Sequence, residues 1–330
     1  MAASLLHGST ACRLLLLLAP LLLPAASQAV LLSDLPAASL QLAFSSEARA
    51  GGILDPTVQS NWSWSSPPAG AFVPGAIYER THAGGGPGSP IGFSYGASFA
   101  AFGEFGRVGA RSSIRQVGSN GEQSAFWAGA FVGASDGFVV ESTTLAQGTP
   151  VTVRFDLTVS GVIQGEFPDG SDYASAQLSV DRYVRVHRGS IGNTVVVHPP
   201  QTYWDTYGRS DEIRINQTLP LNLALQVGDA VGFDIHFWAG AGTAYNGGMN
   251  GPDQEIAARA DAMHTLGATI VPTDRAQVQL RFVSGHDYAP APIPEPQTWA
   301  LWMCGLVAGA GWLGRRRWPG AGRAGQALPA

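Results

Sequence analysis

The stretch Pro150–Gly161, PVTVRFDLTVSG, alternates apolar and polar residues from end to end. Val151, Val153, Phe155, Leu157 and Val159 share one face, and Thr152, Arg154, Asp156, Thr158 and Ser160 share the other. A period of two places successive side chains on opposite sides of an extended backbone, the signature of a strand packed on one face and wet on the other. The same rhythm recurs in Ala176–His187, Leu219–Val227, Val231–Trp238 and Gln277–Val283. Within Ala176–His187 the inward set is Ala176, Leu178, Val180, Val184 and Val186, and Arg182 is the one misfit. Val227-Gly228-Asp229-Ala230 is expected to close a hairpin between two of these runs.

The first half of the chain, from Val30 to Val140, is rich in Gly, Ala, Ser and aromatics and is expected to form short strands with small outward residues. His82–Pro90, with its glycines and prolines, reads as a loop. Asp253–Leu266 contains good helix formers, an Asp253 cap and a terminating Gly267, yet it also alternates Ala258, Ala260 and Ala262. Propensity favours helix there and the surrounding pattern favours strand; strand is the expectation. No βαβ rhythm and no repeat of fixed period is present. The fold expected for residues 30–288 is therefore all-β, an antiparallel β-sandwich of jelly-roll-like type.

Composition narrows the function classes. Charged residues make up 13% of the 330, lysine is absent, and Gly (42) and Pro (22) are frequent, which suits many strands joined by turns. Between Val30 and Pro290 there are 14 Arg against 23 Asp plus Glu, a net of −9. An acidic surface without basic clusters speaks against a nucleic-acid partner. The two cysteines, Cys12 and Cys304, both lie outside residues 30–288, so that region has no disulfide framework and no thiolate site.

Both ends differ from the middle. Residues 1–29 read as a secretory signal peptide: Arg13, the apolar runs Leu14–Leu18 and Leu21–Leu23, then small residues leading to a Ser27-x-Ala29 cleavage site before Val30. Residues 289–297 form a proline-dense stalk containing Pro294, Glu295 and Pro296. Each proline fixes φ and removes a backbone donor, so the stalk should be extended and outside any sheet. Residues 298–314 are expected to be a single short transmembrane helix, with an apolar core Trp299–Leu313 of about 23 Å at 1.5 Å per residue. Residues 315–330 form a basic tail, and Arg315, Arg316 and Arg317 set its orientation with the C-terminus cytoplasmic.

In Pro294-Glu295-Pro296, Thr298-Trp299-Ala300-Leu301, the glycine-containing apolar segment and the arginine cluster, the tail resembles that of the PEP-CTERM proteins of Gram-negative bacteria. Arg281–Tyr288 also resembles the last strand of many such ectodomains. Trp318–Ala330 departs from the pattern by extending past the arginines. The resemblance covers about the last tenth of the chain. It implies an exosortase-type processing enzyme that cuts near the Pro-Glu-Pro motif, and association with exopolysaccharide or biofilm. The implied route is inner-membrane anchorage with the ectodomain in the periplasm, then transfer to the cell surface or extracellular matrix.

Inside the ectodomain, Pro199–Gly208 carries Tyr203, Trp204 and Tyr207 near Asp205, Asp211 and Glu212. Flat aromatic faces stack on sugar rings and carboxylates bond hydroxyls, so these three aromatics are the candidate carbohydrate-binding residues. The competing reading is a loop folded back over the end of a sheet. Asn61-Trp62-Ser63-Trp64 carries the same pattern more weakly. Asp169-Gly170-Ser171-Asp172 is read as a turn before a calcium site. His187, His198, His236 and His264 lack metal-type spacing, no nucleophile elbow or phosphate loop is present, and no catalytic residue, metal or cofactor is assigned. The expected function is a structural or carbohydrate-binding protein. The alternative is a secreted carbohydrate-active enzyme whose carboxylate pair meets only in space.

Overall fold

The computed structural model describes residues 30–50, 53–54, 60–66, 73–85, 94–117, 123–166, 173–207, 210–246 and 255–290. The expected signal peptide, the turn expected at Asp169–Asp172, residues 86–90 of the expected loop and everything from residue 291 onward lie outside the described residues. Among the described residues the regular structure is β, apart from one 3₁₀ turn at Leu32–Asp34. None of their helices is long and apolar enough to cross a membrane.

In chain order the strands are β1 Ser39–Ala50, β2 Ile53–Leu54, β3 Ser60–Ser66, β4 Ile77–Gly85, β5 Ser94–Glu104, β6 Arg107–Val117, β7 Gln123–Glu141 and β8 Pro150–Glu166. There follow β9 Tyr173–His187, β10 Thr194–Val197, β11 Thr202–Asp205, β12 Glu212–Gln226, β13 Ala230–Asn246, β14 Glu255–Pro272 and β15 Gln279–Phe282. They form two antiparallel sheets. The smaller runs β12-β8-β14-β6-β5-β4. The larger runs β10-β9-β13-β7-β1-β2, with β11 on β9, β15 on β7 and β3 on β1.

The sheets stack face to face. β9 packs across on β8 and β14, β13 on β14 and β6, β7 on β6 and β5, and β1 on β5. From β6 to β15 the chain changes sheet at almost every connection, so β14 returns between β6 and β8 while β13 returns between β7 and β9. The core between the sheets is built from the inward half of each alternating run. Phe44, Phe99, Phe126, Phe138, Phe155, Phe233 and Phe237 are all but completely buried. Each such side chain contributes up to about 3 kcal/mol by leaving water. Ring pairs bridge the layers, including Phe155 edge-on to Phe233 at 5.2 Å, Phe44 with Phe99 at 5.5 Å and Tyr95 with Phe126 at 4.7 Å.

The period-two runs are strands as expected, and several local expectations are corrected. Val227–Ala230 is a tight turn, with Asp229 N–H donating to the Gln226 carbonyl at 3.0 Å and Gly228 at φ +94°. It joins β12 in one sheet to β13 in the other, so it is a corner between layers and not a hairpin. His82–Gly85 belongs to β4, paired with Ser94–Ala97 of β5. β1, β5, β6 and β7 of the first half are long, 11 to 19 residues. Ala97, Ala101, Ala110, Ala128, Ala130 and Ala134 are buried inward, while Ala125, Gly129 and Gly133 keep outward positions of β7 small as expected. Asp253–Leu266 is strand β14 from Glu255 onward, flanked by β6 and β8, so both of its edges are paired and its inward Ile256, Ala258, Ala260 and Ala262 are buried. Tertiary pairing overrides helix propensity there. The strand expected at Arg281–Tyr288 ends at Phe282.

Two inward polar groups hold the layers. Arg182, the misfit of its run, donates to the carbonyls of Phe155 at 3.2 Å, Leu219 at 2.9 Å and Pro220 at 3.3 Å. It thus reaches from β9 to β8 and β12 in the opposite sheet, and it lies 5.6 Å over the Phe155 ring. Burial lowers its pKa, opposed by attraction to Asp156. Buried Asp136 gathers the chain after β15. Its Oδ1 accepts from Gly137 N–H at 2.7 Å and Ser284 N–H at 3.1 Å, and its Oδ2 from the Ser284 hydroxyl at 2.5 Å and the Tyr288 hydroxyl at 2.9 Å.

Candidate functional site

The larger sheet turns an unusual set of residues away from the core. Because inward Ala128, Ala130, Ala239 and Ala241 fix the register of β7 and β13, their neighbours face outward. These are Trp127, Gly129, Phe131 and Gly133 on β7 and His236, Trp238, Gly240 and Gly242 on β13. β9 continues the surface with Ser175, Gln177, Ser179, Asp181 and Tyr183, each opposite an outward residue of β13. The rows read Ser175, Gly242, Trp127; then Gln177, Gly240, Gly129; then Ser179, Trp238, Phe131.

Glycine determines how the tryptophans lie. A Cβ on Gly129 would strike the Trp238 ring, and one on Gly240 would sit 2.6 Å from Trp238 Nε1. The bare backbone is what lets this indole lie close over Gly129 and Gly240. Trp127 runs nearly parallel to it, with ring centroids 5.1 Å apart and 13° between planes, and is 41% exposed. Farther along, Phe131 meets His236 at 5.5 Å, His236 meets Tyr183 at 5.9 Å, and Tyr183 stacks on His198 at 3.9 Å.

The acids on this face have partners. His198 Nε2 lies 2.9 Å from Asp181 Oδ1, and Asp181 also holds the Tyr183 phenol above its usual pKa by hydrogen bonding. Asp234 pairs with Arg185 and accepts from the Ser135 hydroxyl at 2.6 Å. Asp205 accepts from Tyr207 N–H at 3.1 Å.

The aromatics singled out in Pro199–Gly208 separate in space. Tyr203 lies on β11 opposite Ser179 and is 62% exposed, and Tyr207 is 68% exposed just beyond that strand. Trp204 falls on the other side of β11, opposite inward Leu178, and packs against the core. One residue of the three therefore belongs to the sheet interior, as strand alternation requires. Glu212 opens β12 in the opposite sheet and pairs with Arg214 at 2.6 Å. Asn61–Trp64 is part of β3, paired with β1. Trp127 and Trp238 went unassigned in the sequence. Trp238 carried a signal: in Val231–Trp238 it falls on the polar register, where an indole is out of place unless that face is used.

A shallow depression of about 250 Å³ opens beside the tryptophan pair, lined by Trp127, Ser175, Gln177, Tyr207, Gly240 and Gly242 among others. A larger depression, about 510 Å³, lies at β15 and the chain after it, with Arg275, Arg281, His286 and Asp287 in its wall. Among the described residues no group of three or more His, Cys, Asp or Glu is placed to hold a metal ion. Neither a scan against protein-family models nor a search of curated proteins finds a match to the chain.

Proposed function

We propose that this chain is an exported surface or extracellular-matrix protein whose β-domain has a structural, carbohydrate-binding role. The address rests on the tail: Pro294-Glu295-Pro296, the apolar segment at 298–314 and Arg315-Arg316-Arg317 follow one another in the order an exosortase-type enzyme would use. In this reading the inner membrane holds the precursor, and cleavage near the Pro-Glu-Pro motif releases the domain outward toward exopolysaccharide.

The domain is a jelly roll on this reading. Facing rows β6-β14-β8-β12 and β7-β13-β9-β10/β11, with the chain alternating between them, support that topology. β1 to β3 and β15 widen one sheet and β4 and β5 the other. The carbohydrate role rests on exposed Trp127, stacked on half-buried Trp238 on an outer sheet face.

The address is tested by expressing the full chain in a Gram-negative host that has an exosortase and measuring the mass of the released protein. The expected product ends within residues 289–297 and leaves the membrane fraction, whereas Glu295→Ala keeps the chain in the membrane. An intact C-terminus on released wild-type protein would refute the sorting claim.

A further inference from the structure

We infer that the outer face of the larger sheet is a binding strip for a linear, uncharged polysaccharide, with the Trp127–Trp238 pair as its main platform. The inference deepens the carbohydrate reading above and rests on it.

The argument begins with what the face offers. A sugar ring is amphipathic: its C–H face is apolar and its rim carries hydroxyls. The complementary surface is a flat aromatic plane with uncharged hydrogen-bonding groups beside it. Trp127, 41% exposed, supplies the plane, backed by the Trp238 indole stacked against it, and the bare backbone of Gly129 and Gly240 leaves room for that stack. Ser175 and Gln177 supply donors and acceptors in the adjoining rows, with Tyr207 at the rim of the same depression.

Length points to a polymer. From the Trp127–Gly242 row to the row of Asp234 and Tyr183 is eight residues along β13, about 27 Å at 3.4 Å per residue. Phe131, His236 and the stacked Tyr183–His198 pair continue the aromatic surface over that distance. A chain of several sugars lying roughly along β13 would meet planes at both ends.

Charge selects the class. The region is acidic, with 14 Arg against 23 Asp plus Glu between Val30 and Pro290. The strip's own arginine, Arg185, is paired with Asp234. A polyuronate or nucleic acid would meet repulsion here. A globular protein partner would be expected to find a larger apolar centre than this mixed floor of glycine, serine and glutamine.

The test is affinity electrophoresis of the full chain through gels containing hydroxyethylcellulose, arabinoxylan or galactomannan, with alginate as the anionic comparison. Retardation is expected by at least one neutral polymer and not by alginate. Trp127→Ala combined with Trp238→Ala is expected to weaken it by about ten-fold or more. Gly242→Gln provides a variant that leaves the indoles in place. A Cβ there meets Trp127 Cδ1 at an ordinary 3.6 Å, so the fold should hold, as thermal melting checks, while the added side chain obstructs the floor and weakens retardation. Binding that survives both variants would overturn the strip and leave the carbohydrate reading standing. Retardation by alginate alone would overturn the uncharged class. Failure of every polymer to retard the wild-type chain would overturn both.

Discussion

Arg182 and Asp136 show how single polar residues are used inside this apolar domain. Arg182 sits at an inward position because its guanidinium reaches three carbonyls of the opposite sheet, one belonging to Pro220, a residue that donates no ladder bond. Arg182→Met would remove the side-chain donor shared by those carbonyls, of which only the Phe155 bond is fully buried, and should cost about 1–3 kcal/mol in denaturant unfolding. Asp136 does the corresponding work at the chain's exit from the domain. Four donors converge on its carboxylate, three of them from Ser284 and Tyr288. Asp136→Ala should destabilise by about 3 kcal/mol, and protease digestion should then cut first near residues 283–289. Alternation alone flagged Arg182 as odd but carried no information about its partners, since these come from strands 27 to 38 residues away.

At the scale of elements, β14 is the clearest case of context deciding structure. Its sequence suits a helix, yet it occupies the middle of a sheet between β6 and β8. The ladder with both neighbours shifts register before Leu266, a bulge-like irregularity in the middle of the strand. Gly161 of β8 sits against this irregularity: a Cβ there would lie 2.9 Å from the Asp261 carbonyl oxygen and 2.9 Å from Leu178 Cδ1. Because one obstacle is backbone, Gly161→Ala should cost about 1–3 kcal/mol, measured by the shift in denaturant midpoint. A synthetic peptide of residues 253–267 is expected to gain helical circular dichroism in trifluoroethanol, because its propensity is released once the flanking strands are gone. Failure to do so would mean that the strand is favoured locally and not by pairing.

At the scale of the whole molecule, stability should depend on alkaline pH through Tyr288. Burial first, with the neighbouring Asp136 adding to it, pushes this phenol far above its usual range. An unfolded tyrosine ionises near about pH 10, whereas the folded one keeps its proton. The contribution is therefore complete below that value and is lost as the pH rises beyond it. Melting temperature should fall as the pH rises above about 10, less steeply in Tyr288→Phe. The same scale separates what was legible from what was not. Period-two alternation in Pro150–Gly161 and its counterparts determined an all-β, antiparallel domain, because burying one face of a strand leaves that pattern in the chain itself. The sequence by itself also set the acidic, cysteine-free chemistry of the region. The corner at Val227–Ala230 reads locally like any tight turn, and only the packing of two layers decides that it joins different sheets. The aromatic strip is likewise a product of register. Trp127, Trp238, Ser175 and Gln177 come from three strands, and only antiparallel pairing sets them side by side while turning Trp204 inward.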